Sequence, residues 1–561
     1  MIKQKYTTFV VLCACVFGFY LSGNAQEKTN TNKTSQDTSK TNVSEEIEVV
    51  RAYKPVLADA VKIRRSPNLN DNKPFNPRMN YTVLDKRLSL NTGIGDLKAQ
   101  ELIPQKFDPL QNNIAKIGIG NLGATFAQIN IATGQDEALQ AGVNFNHLSM
   151  NGDLNQQKIS KQDLNAYGKN IGDQLVLEGN LNLSKQSNYF YGIDPANTFQ
   201  NLNPEQQKFN YFGGEGLIYN RTETDNEQLA YAAKINASIF SNAFSAKENN
   251  LIFSASLTKK LTNFNVGVNA STDFTTSKDL NYSINNNIFK LNPYLKIEKE
   301  KLMLTAGINY VSEFGSNQDT HIFPLANVDF RLIKNSLTVF ANFGGDIDQT
   351  KLKDLSDINP YLNQNIVIKN KIKKFDGAAG FKGTIASIFG FKAMASYQTV
   401  ENLPYFLNNI AQRQKFDVAY FGGNTNILDF SGELNITLSN ALNLDSKISL
   451  RNYKNNTEEN AWMLPKMVLN SNANYKITDK IKLTGDLLFQ SETKAKILTA
   501  TNTNIKTIKA FADFSLGASY QYNKKVSAFI KINNLLGNDY QRYAYYQNYG
   551  TNILGGLGYG F

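Results

Sequence analysis

The stretch that decides the fold is the last one, residues 525–561, which reads KVSAFIKINNLLGNDYQRYAYYQNYGTNILGGLGYGF. In its final segment one parity holds the large side chains of Ile553, Leu557, Tyr559 and Phe561, and the other is mostly glycine. This period of two predicts a β-strand with one apolar face. A strand that ends the chain must pair its free edge elsewhere, and in a closed barrel it pairs with the first strand.

The strand before it follows the same rule. Its apolar and mostly polar positions alternate: Val526, Ala528, Ile530 and Ile532 against Ser527, Phe529, Lys531 and Asn533. A polar, Tyr-rich connection then leads to the last strand. An apolar outer face, a polar inner face and a terminal aromatic residue together indicate a barrel that lies in the outer membrane.

The run 530–540 (IKINNLLGNDY), with the Tyr-rich loop and the final aromatic-ended strand, resembles the end of TonB-dependent receptors. In that family the penultimate strand runs into an N-L-F-x-x-x-Y pattern. The resemblance covers most of the chain but not the N-terminal third of a standard receptor. It implies a barrel in the lipid of a Gram-negative outer membrane, inserted by the barrel-assembly machinery, with Tyr559 and Phe561 as the insertion signal.

Residues 1–25 have the features of a secretory signal peptide. A basic start and the apolar run 9–21 precede small residues that end at Ala25, where cleavage is expected. A lipoprotein signal is the alternative, because Cys13 and Cys15 lie in this segment, but the apolar run continues after them. Both cysteines of the chain leave with the signal, so the mature protein is predicted to have no thiol chemistry.

Residues 26–42 are rich in Thr, Asn, Ser and Lys and are predicted to be a disordered leader. The next segment, 43–113, begins with VSEEIEVVRAYKP, which resembles the short extended segment at the start of receptor plug domains. The resemblance implies strand addition with a TonB-like or other periplasmic protein. The partner residues would be Glu46, Ile47, Glu48, Val49, Val50 and Tyr53. The alternative is an extended segment without a partner.

A full plug domain would need well over a hundred residues after this point. Here the first barrel strand is predicted near Ile114, and five prolines interrupt the interval: Pro67, Pro74, Pro77, Pro104 and Pro109. The plug is therefore predicted to be missing or reduced to a remnant. We expect the lumen to be obstructed instead either by residues 54–113 together with the outer loops, notably 346–371, or by a partner protein.

Residues 114–561 are predicted to form the barrel. In 428–438 and 442–451, Leu, Ile and Phe alternate with Asp, Glu, Lys, Ser and Asn, and the charges stay on one face. A Lys or Arg that faces lipid at mid-depth costs roughly 2–4 kcal/mol, so the charged face is expected to meet water. A soluble β-sandwich would have to fold this many antiparallel strands without a domain break.

Connection lengths give an independent signal. Tight turns are predicted to alternate with longer polar loops at 149–163, 186–207, 241–250, 275–287, 313–320, 346–371, 400–414, 453–464, 491–507 and 534–549. With 415–438 taken as one strand, the pattern predicts about 22 strands, an even number that can close. No amphipathic helix is predicted in the mature chain.

The chemistry-bearing residues are few. The net charge of +11 does not indicate nucleic-acid binding, because the lysines are scattered along strands and turns.

His147 is predicted at the lipid-facing rim, and His321 lies where a strand leaves a loop. An outer-membrane lipase would need a Ser and an acidic partner that the sequence does not assign. Two distant histidines without cysteine do not predict a conventional zinc site, and the acidic pairs at 346–348 and 458–459 lack a calcium-loop spacing.

We therefore predict an all-β, closed antiparallel transmembrane barrel, not an enzyme, with no cofactor. The function implied by the resemblance is that of an outer-membrane receptor that takes up a solute through its lumen. The alternative is a scaffold barrel that is a subunit of an envelope assembly. A barrel enzyme is the third alternative.

Overall fold

The computed structural model describes residues 113–133, 138–193, 203–221, 229–438, 441–499 and 502–561. Their main feature is one antiparallel sheet of 22 strands that closes on itself, as predicted. The predictions for the signal peptide, the leader and the proposed partner segment from Glu46 to Tyr53 lie outside the described residues. No helix in the described part of the chain is long and apolar enough to cross a membrane.

The barrel strands are β1 (Ile114–Gly120), β2 (Thr125–Ala132), β3 (Leu139–Asn151), β4 (Lys158–Ile171), β5 (Leu175–Tyr189), β6 (Gln206–Asn220), β7 (Leu229–Asn242), β8 (Lys247–Lys260), β9 (Asn265–Asp279), β10 (Tyr282–Glu298), β11 (Leu302–Gly315), β12 (Asp319–Ile333), β13 (Leu337–Asp348), β14 (Lys371–Ile385), β15 (Phe389–Glu401), β18 (Asn424–Leu438), β19 (Leu442–Asn455), β20 (Met467–Lys476), β21 (Ile481–Gln490), β24 (Phe511–Gln521), β25 (Val526–Asn533) and β28 (Asn552–Gly560). Outside the barrel lie β16 (Tyr405–Asn408), β17 (Phe416–Ala419), β22 (Thr493–Leu498), β23 (Thr503–Ile508), β26 (Gln541–Tyr543), β27 (Tyr546–Gln547) and one short helix, α1 (Leu352–Ile358).

The seam joins the first strand to the last. β1 and β28 pair antiparallel from Ile114 opposite Gly560 to Gly120 opposite Leu554. A Cβ atom at Gly556 would lie 2.1 Å from the carbonyl oxygen of Ile117, so the backbones approach too closely there for any side chain. The predicted pairing of the terminal strand is confirmed.

The two faces of the wall differ as the period of two predicts. Outward-facing Ile117, Leu557 and Phe561 are 67%, 61% and 58% exposed, which places large apolar side chains against the membrane. The inward face is polar and hydrogen-bonded across strands. Asn165, for example, donates to Asn180 and Asn182, each at 2.7 Å. Lumen charges pair in the same way, since the Lys169 ammonium lies 2.8 Å from the Glu178 carboxylate.

The long connections all lie at the end opposite the carboxyl terminus, the outer end in the predicted topology. Four predicted outer loops are wrong: residues 149–163, 241–250, 275–287 and 313–320 are mostly strand, and the connections are only 152–157, 243–246, 280–281 and 316–318. Asn250, Thr275 and Ser277 are buried on the inner face of these strands. Polarity alone therefore does not distinguish a loop from a strand whose polar face is turned inward.

Residues 415–438 are not one strand, which corrects a second prediction. β17 leaves the wall and pairs with β16 in a four-stranded sheet with β22 and β23, whereas β18 belongs to the barrel. The break falls at Gly422 and Gly423, and Gly423 has a φ of +85° that favours glycine. The predicted count of 22 is still confirmed, because only one barrel strand comes from this region.

Candidate functional site

The outer end of the barrel is covered by its own loops. A buried apolar cluster, here called the lid core, joins residues that are far apart in sequence. It contains Phe190, Tyr191, Phe209, Phe240, Ala246, Leu352, Leu355, Tyr361, Leu362, Ile366, Ile368, Phe406, Phe416, Val418, Met463, Ala495, Ile497, Ile508, Tyr543, Ala544 and Tyr546. Burial of this much apolar surface holds the loops together rather than leaving them splayed in water.

Residues 349–370, here called the mouth loop, contribute most to this core. Its helix α1 buries Leu352 and Leu355, which are 3% and 2% exposed. The Tyr361 ring then stacks on Tyr546, with ring centroids 3.5 Å apart and an interplanar angle of 18°. Tyr191 meets the Tyr361 ring edge-on at 6.0 Å. These contacts fix the middle of the mouth loop against loops from both ends of the chain.

One side of the mouth loop is held by carboxylates on the inner wall. Glu248 of β8 accepts hydrogen bonds from the backbone N–H groups of Leu352 at 2.6 Å and Lys353 at 3.3 Å. These are N–H groups that the first turn of α1 cannot satisfy internally, so Glu248 caps the helix from another strand. Beside it, the Lys351 ammonium lies 2.9 Å from the Asp273 carboxylate of β9.

The end of the mouth loop is held by Asn370. Its Nδ2 donates to Asn286 of β10 at 2.7 Å and also to Glu313 of β11, while its Oδ1 accepts from Asn286 at 2.8 Å. The backbone N–H of Thr350 donates to the same Oδ1 at 3.0 Å. A single amide therefore ties both ends of the loop to two strands.

The other side of the mouth loop contacts loops across the opening. The Tyr543 hydroxyl donates to the carbonyl of Ile358, and Leu362 forms a parallel bridge with Phe416. On the near side Asn188, at the end of β5, donates to the carbonyl of Pro360 at 3.4 Å. Contacts that extend from β5 to the segment before β28 place the mouth loop across the outer mouth.

The tyrosine hydroxyls of the lid core remain uncharged. Burial raises the pKa of Tyr361 and Tyr546 well above the ordinary value, because their ionised forms would lose hydration. Neighbouring tyrosines add to the shift of both. The stacked pair is therefore neutral throughout the physiological range.

Below the loops, the wall from β14 to β24 contains an inward-facing cavity of about 670 Å³. Its charged lining residues are Lys392, Glu433, Lys447, Asp445, Asp486 and Asp513. One pair is neutralised directly, since the Lys447 ammonium lies 2.9 Å from Glu433. The remaining carboxylates and the amides of Asn470 and Asn472 give a polar surface suited to a hydrated solute.

Neither a protein-family model nor a curated protein sequence matches the chain. Solved structures do match. The FrpB iron transporter from Neisseria meningitidis superposes with a TM-score of 0.62 at 10% identity, over 82% of this chain and 83% of that chain. The siderophore receptor PirA from Acinetobacter baumannii gives 0.60 at 11% identity over 80% of both chains. The ferric-catecholate import receptor Fiu from E. coli K12 gives 0.59 at 10% identity, over 80% and 82%. This chain has the barrel fold of the TonB-dependent receptors.

The residues that the sequence analysis singled out lie in different surroundings in the barrel. Tyr559 and Phe561 lie at the end of the seam, and their role as an insertion signal stays a prediction. Asp346 is hydrogen-bonded to Lys290 at 2.7 Å, and Asp348 lies 2.6 Å from Lys371. Both carboxylates therefore have lysine partners.

In the remaining acidic pair Glu458 has partners, and so does the rim histidine. Glu458 accepts from the ring N–H of Trp462 at 2.8 Å and from Lys496 at 2.8 Å. His147, predicted on the lipid face, lies between Thr125 and Gln162 at 3.3 and 3.2 Å.

Sequence reasoning missed the helix α1, the carboxylate of Glu248 and the amide of Asn370. Their contacts join residues more than fifty positions apart, and a seven-residue helix is too short to show a period. It also missed that His321 has an acidic neighbour, since its Nε2 lies 2.9 Å from the Asp319 carboxylate. Ser312 lies on the opposite face of β11 from Glu313, so the lipase alternative gains no nucleophile there.

Proposed function

We propose that the protein is an outer-membrane receptor that binds a solute at its outer mouth and admits it to the lumen when the mouth loop moves. The observation that carries this proposal is the mouth loop itself. It closes the outer mouth through contacts between loops, and hydrogen bonds and the Lys351–Asp273 ion pair are among its connections to the wall. A bound polar solute can replace such contacts with its own.

The interior supports the same function. Many lumen-facing residues are amides, hydroxyls and paired charges, which present hydrogen-bonding groups along the wall. A barrel of 22 strands is also too wide to be filled by its own side chains. Controlled uptake of a hydrophilic solute needs a polar lumen wall and an outer mouth that can open and close. The similar structures are those of an iron transporter, a siderophore receptor and a ferric-catecholate import receptor, so iron–siderophore complexes are the first solutes to test.

Permeability of whole cells tests the proposal without knowledge of the solute. Asp348 and Lys371 are cross-strand partners, so residues 350–369 can be replaced by a short Gly-Ser linker without breaking the ladder. In protein that also lacks residues 43–113, so that only the loops can close the lumen, cells with this variant should become sensitive to bulky hydrophilic antibiotics that the outer membrane excludes. A linker of equal composition inserted in the turn 522–525, at the other end, is the matched control. Unchanged resistance in cells that contain the folded loop variant would favour the scaffold alternative.

We further propose that uptake is coupled to a periplasmic protein of the TonB type through the segment Glu46 to Tyr53. The support is the sequence resemblance of this segment and the fold of the barrel. Strand addition needs backbone N–H groups, which proline lacks. A photo-crosslinker at Tyr53 should capture the partner, and Val49→Pro should abolish that cross-link while Val49→Thr retains it. An equal yield in the proline variant would exclude strand addition.

A further inference from the structure

Three potential metal ligands from neighbouring strands converge at the outer mouth, on the lumen side. Glu313 lies near the end of β11, and Asp319 lies directly opposite it at the start of β12. His321 follows two residues later and therefore faces the same side. One ligand atom from each of the three side chains lies within 4.8 Å of the other two.

Two of these side chains are already oriented. His321 Nε2 lies 2.9 Å from Asp319 Oδ2, and adjacent ligands at about 2.1 Å from a metal ion lie about 3 Å apart. The other oxygen, Oδ1 of Asp319, accepts from the backbone N–H of Thr320 at 2.8 Å. The His321 ring stacks on the buried Phe323 ring at 5.7 Å with an interplanar angle of 4°. Binding therefore needs an adjustment mainly at Glu313, whose ligand atom lies within 4.8 Å of the other two.

The buried negative charge of Glu313 is an independent reason to expect that a cation binds here. Glu313 is only 8% exposed, and its carboxylate accepts a hydrogen bond from the neutral amide of Asn370. In the described part of the chain no Lys or Arg lies within ion-pair distance of it, whereas Asp346 and Asp348 nearby both have lysine partners. Burial of an unpaired carboxylate is costly, and a metal ion removes that cost.

We propose that Glu313, Asp319 and His321 bind a divalent first-row transition-metal ion. One imidazole and two carboxylates are borderline ligands, which favour such ions over Mg²⁺ or Ca²⁺, whose sites are built from oxygen alone. The three ligands lie on the lumen-facing side of the β11–β12 hairpin. The site is independent of whether the mouth loop controls uptake.

The position of the metal site means that a bound ion would affect how the mouth loop is held. The Glu313 oxygen that accepts from Asn370 belongs to the hydrogen-bonded group that ties both ends of the mouth loop to β10 and β11. Hydrogen bonds of this kind hold a ligating carboxylate in place, and their loss weakens metal binding. A bound ion would therefore fix the β11–β12 hairpin and the end of the mouth loop together.

Cobalt titration tests the proposal, because Co²⁺ bound to imidazole and carboxylate gives visible absorption that depends on the ligands. Full-length protein in detergent, with a tag that lacks histidine and with excess Mg²⁺ to fill lipopolysaccharide sites, should bind one Co²⁺ that Zn²⁺ displaces. The chain has only two histidines, so His147→Gln is a matched control for His321→Gln. We expect His321→Gln to lower the affinity by more than about 10-fold and His147→Gln to leave it unchanged.

A second variant links the site to the mouth loop. Asn370→Ala removes the amide but no ligand, and should lower the Co²⁺ affinity by about 10- to 100-fold. Heat-modifiable migration on gels shows whether each variant retains the barrel. Equal binding by parent and His321→Gln protein would overturn the proposal, as would the absence of saturable absorption at millimolar Co²⁺ in the parent.

Discussion

Removal of one ring from the centre of the lid core should open the mouth loop and leave the barrel intact. Tyr361 is 8% exposed, stacks on Tyr546 and meets the rings of Tyr191 and Tyr543 edge-on. Truncation of a buried aromatic side chain to alanine costs about 3–5 kcal/mol. At about 1.4 kcal/mol for each factor of ten, the lower value raises the open fraction of the mouth loop about 100-fold.

Hydrogen exchange measured by mass spectrometry reports this opening. Within α1, the N–H of Leu355 donates to Lys351 at 3.1 Å and the N–H of Asn359 donates to Leu355 at 2.9 Å. In Tyr361→Ala protein these amides should exchange about 100-fold faster than in the parent, because they are protected only while the loop is closed. Peptides from β5 and β6 should exchange at unchanged rates.

Tyr361→Phe is the matched control, because it keeps the ring and loses only the hydroxyl. A single hydrogen bond contributes about 1 kcal/mol, so the increase should stay near 5-fold. The reasoning is refuted if Tyr361→Ala changes exchange in α1 by less than about 3-fold. It is also refuted if the barrel strands lose protection to the same extent, since the ring would then support the whole fold.

Three further predictions concern the anchors, the tyrosines and the terminus. Glu248→Ala leaves the N–H of Leu352 without its acceptor, so it should cost about 1–3 kcal/mol and raise exchange in α1 about 5- to 150-fold, with β5 unaffected. The pKa values of Tyr361 and Tyr546 are raised by burial, so the stability they contribute is complete below pH 10.0 and is lost as the pH rises through their folded-state values. Tyrosinate absorbance should show late-titrating groups, one fewer in Tyr361→Phe. Phe561→Asp should leave the protein in the periplasm for degradation; normal outer-membrane levels, measured by fractionation, would exclude the insertion role.

The barrel could be predicted because its determinants are local and repeated. In β28 the alternation of Leu557, Tyr559 and Phe561 with glycine specifies one lipid-facing side, and similar alternation recurs through the chain. The same rule failed at residues 275–287, where the polar side chains of Thr275, Ser277 and Asn286 are buried inward. A strand with a buried polar face and an outer loop have the same polar composition, so composition does not distinguish them.

The mouth loop could be predicted as a long connection but not as a closure. Its position depends on pairs such as Glu248 with Leu352 and Tyr361 with Tyr546, which no periodicity connects. The ligand set of Glu313, Asp319 and His321 was missed for a related reason. The sequence argument counted only histidines and cysteines. It therefore did not consider Glu313, whose carboxylate lies opposite Asp319 in the β11–β12 pairing.

Ion conductance in planar bilayers tests most directly whether the mouth loop closes the lumen. Because residues 54–113 are themselves expected from the sequence to obstruct the barrel, the comparison is made in protein that lacks residues 43–113. In that background the barrel with its mouth loop should stay mostly closed, and the barrel with residues 350–369 replaced by the short linker should conduct steadily. Equal conductance of the two proteins would contradict the account.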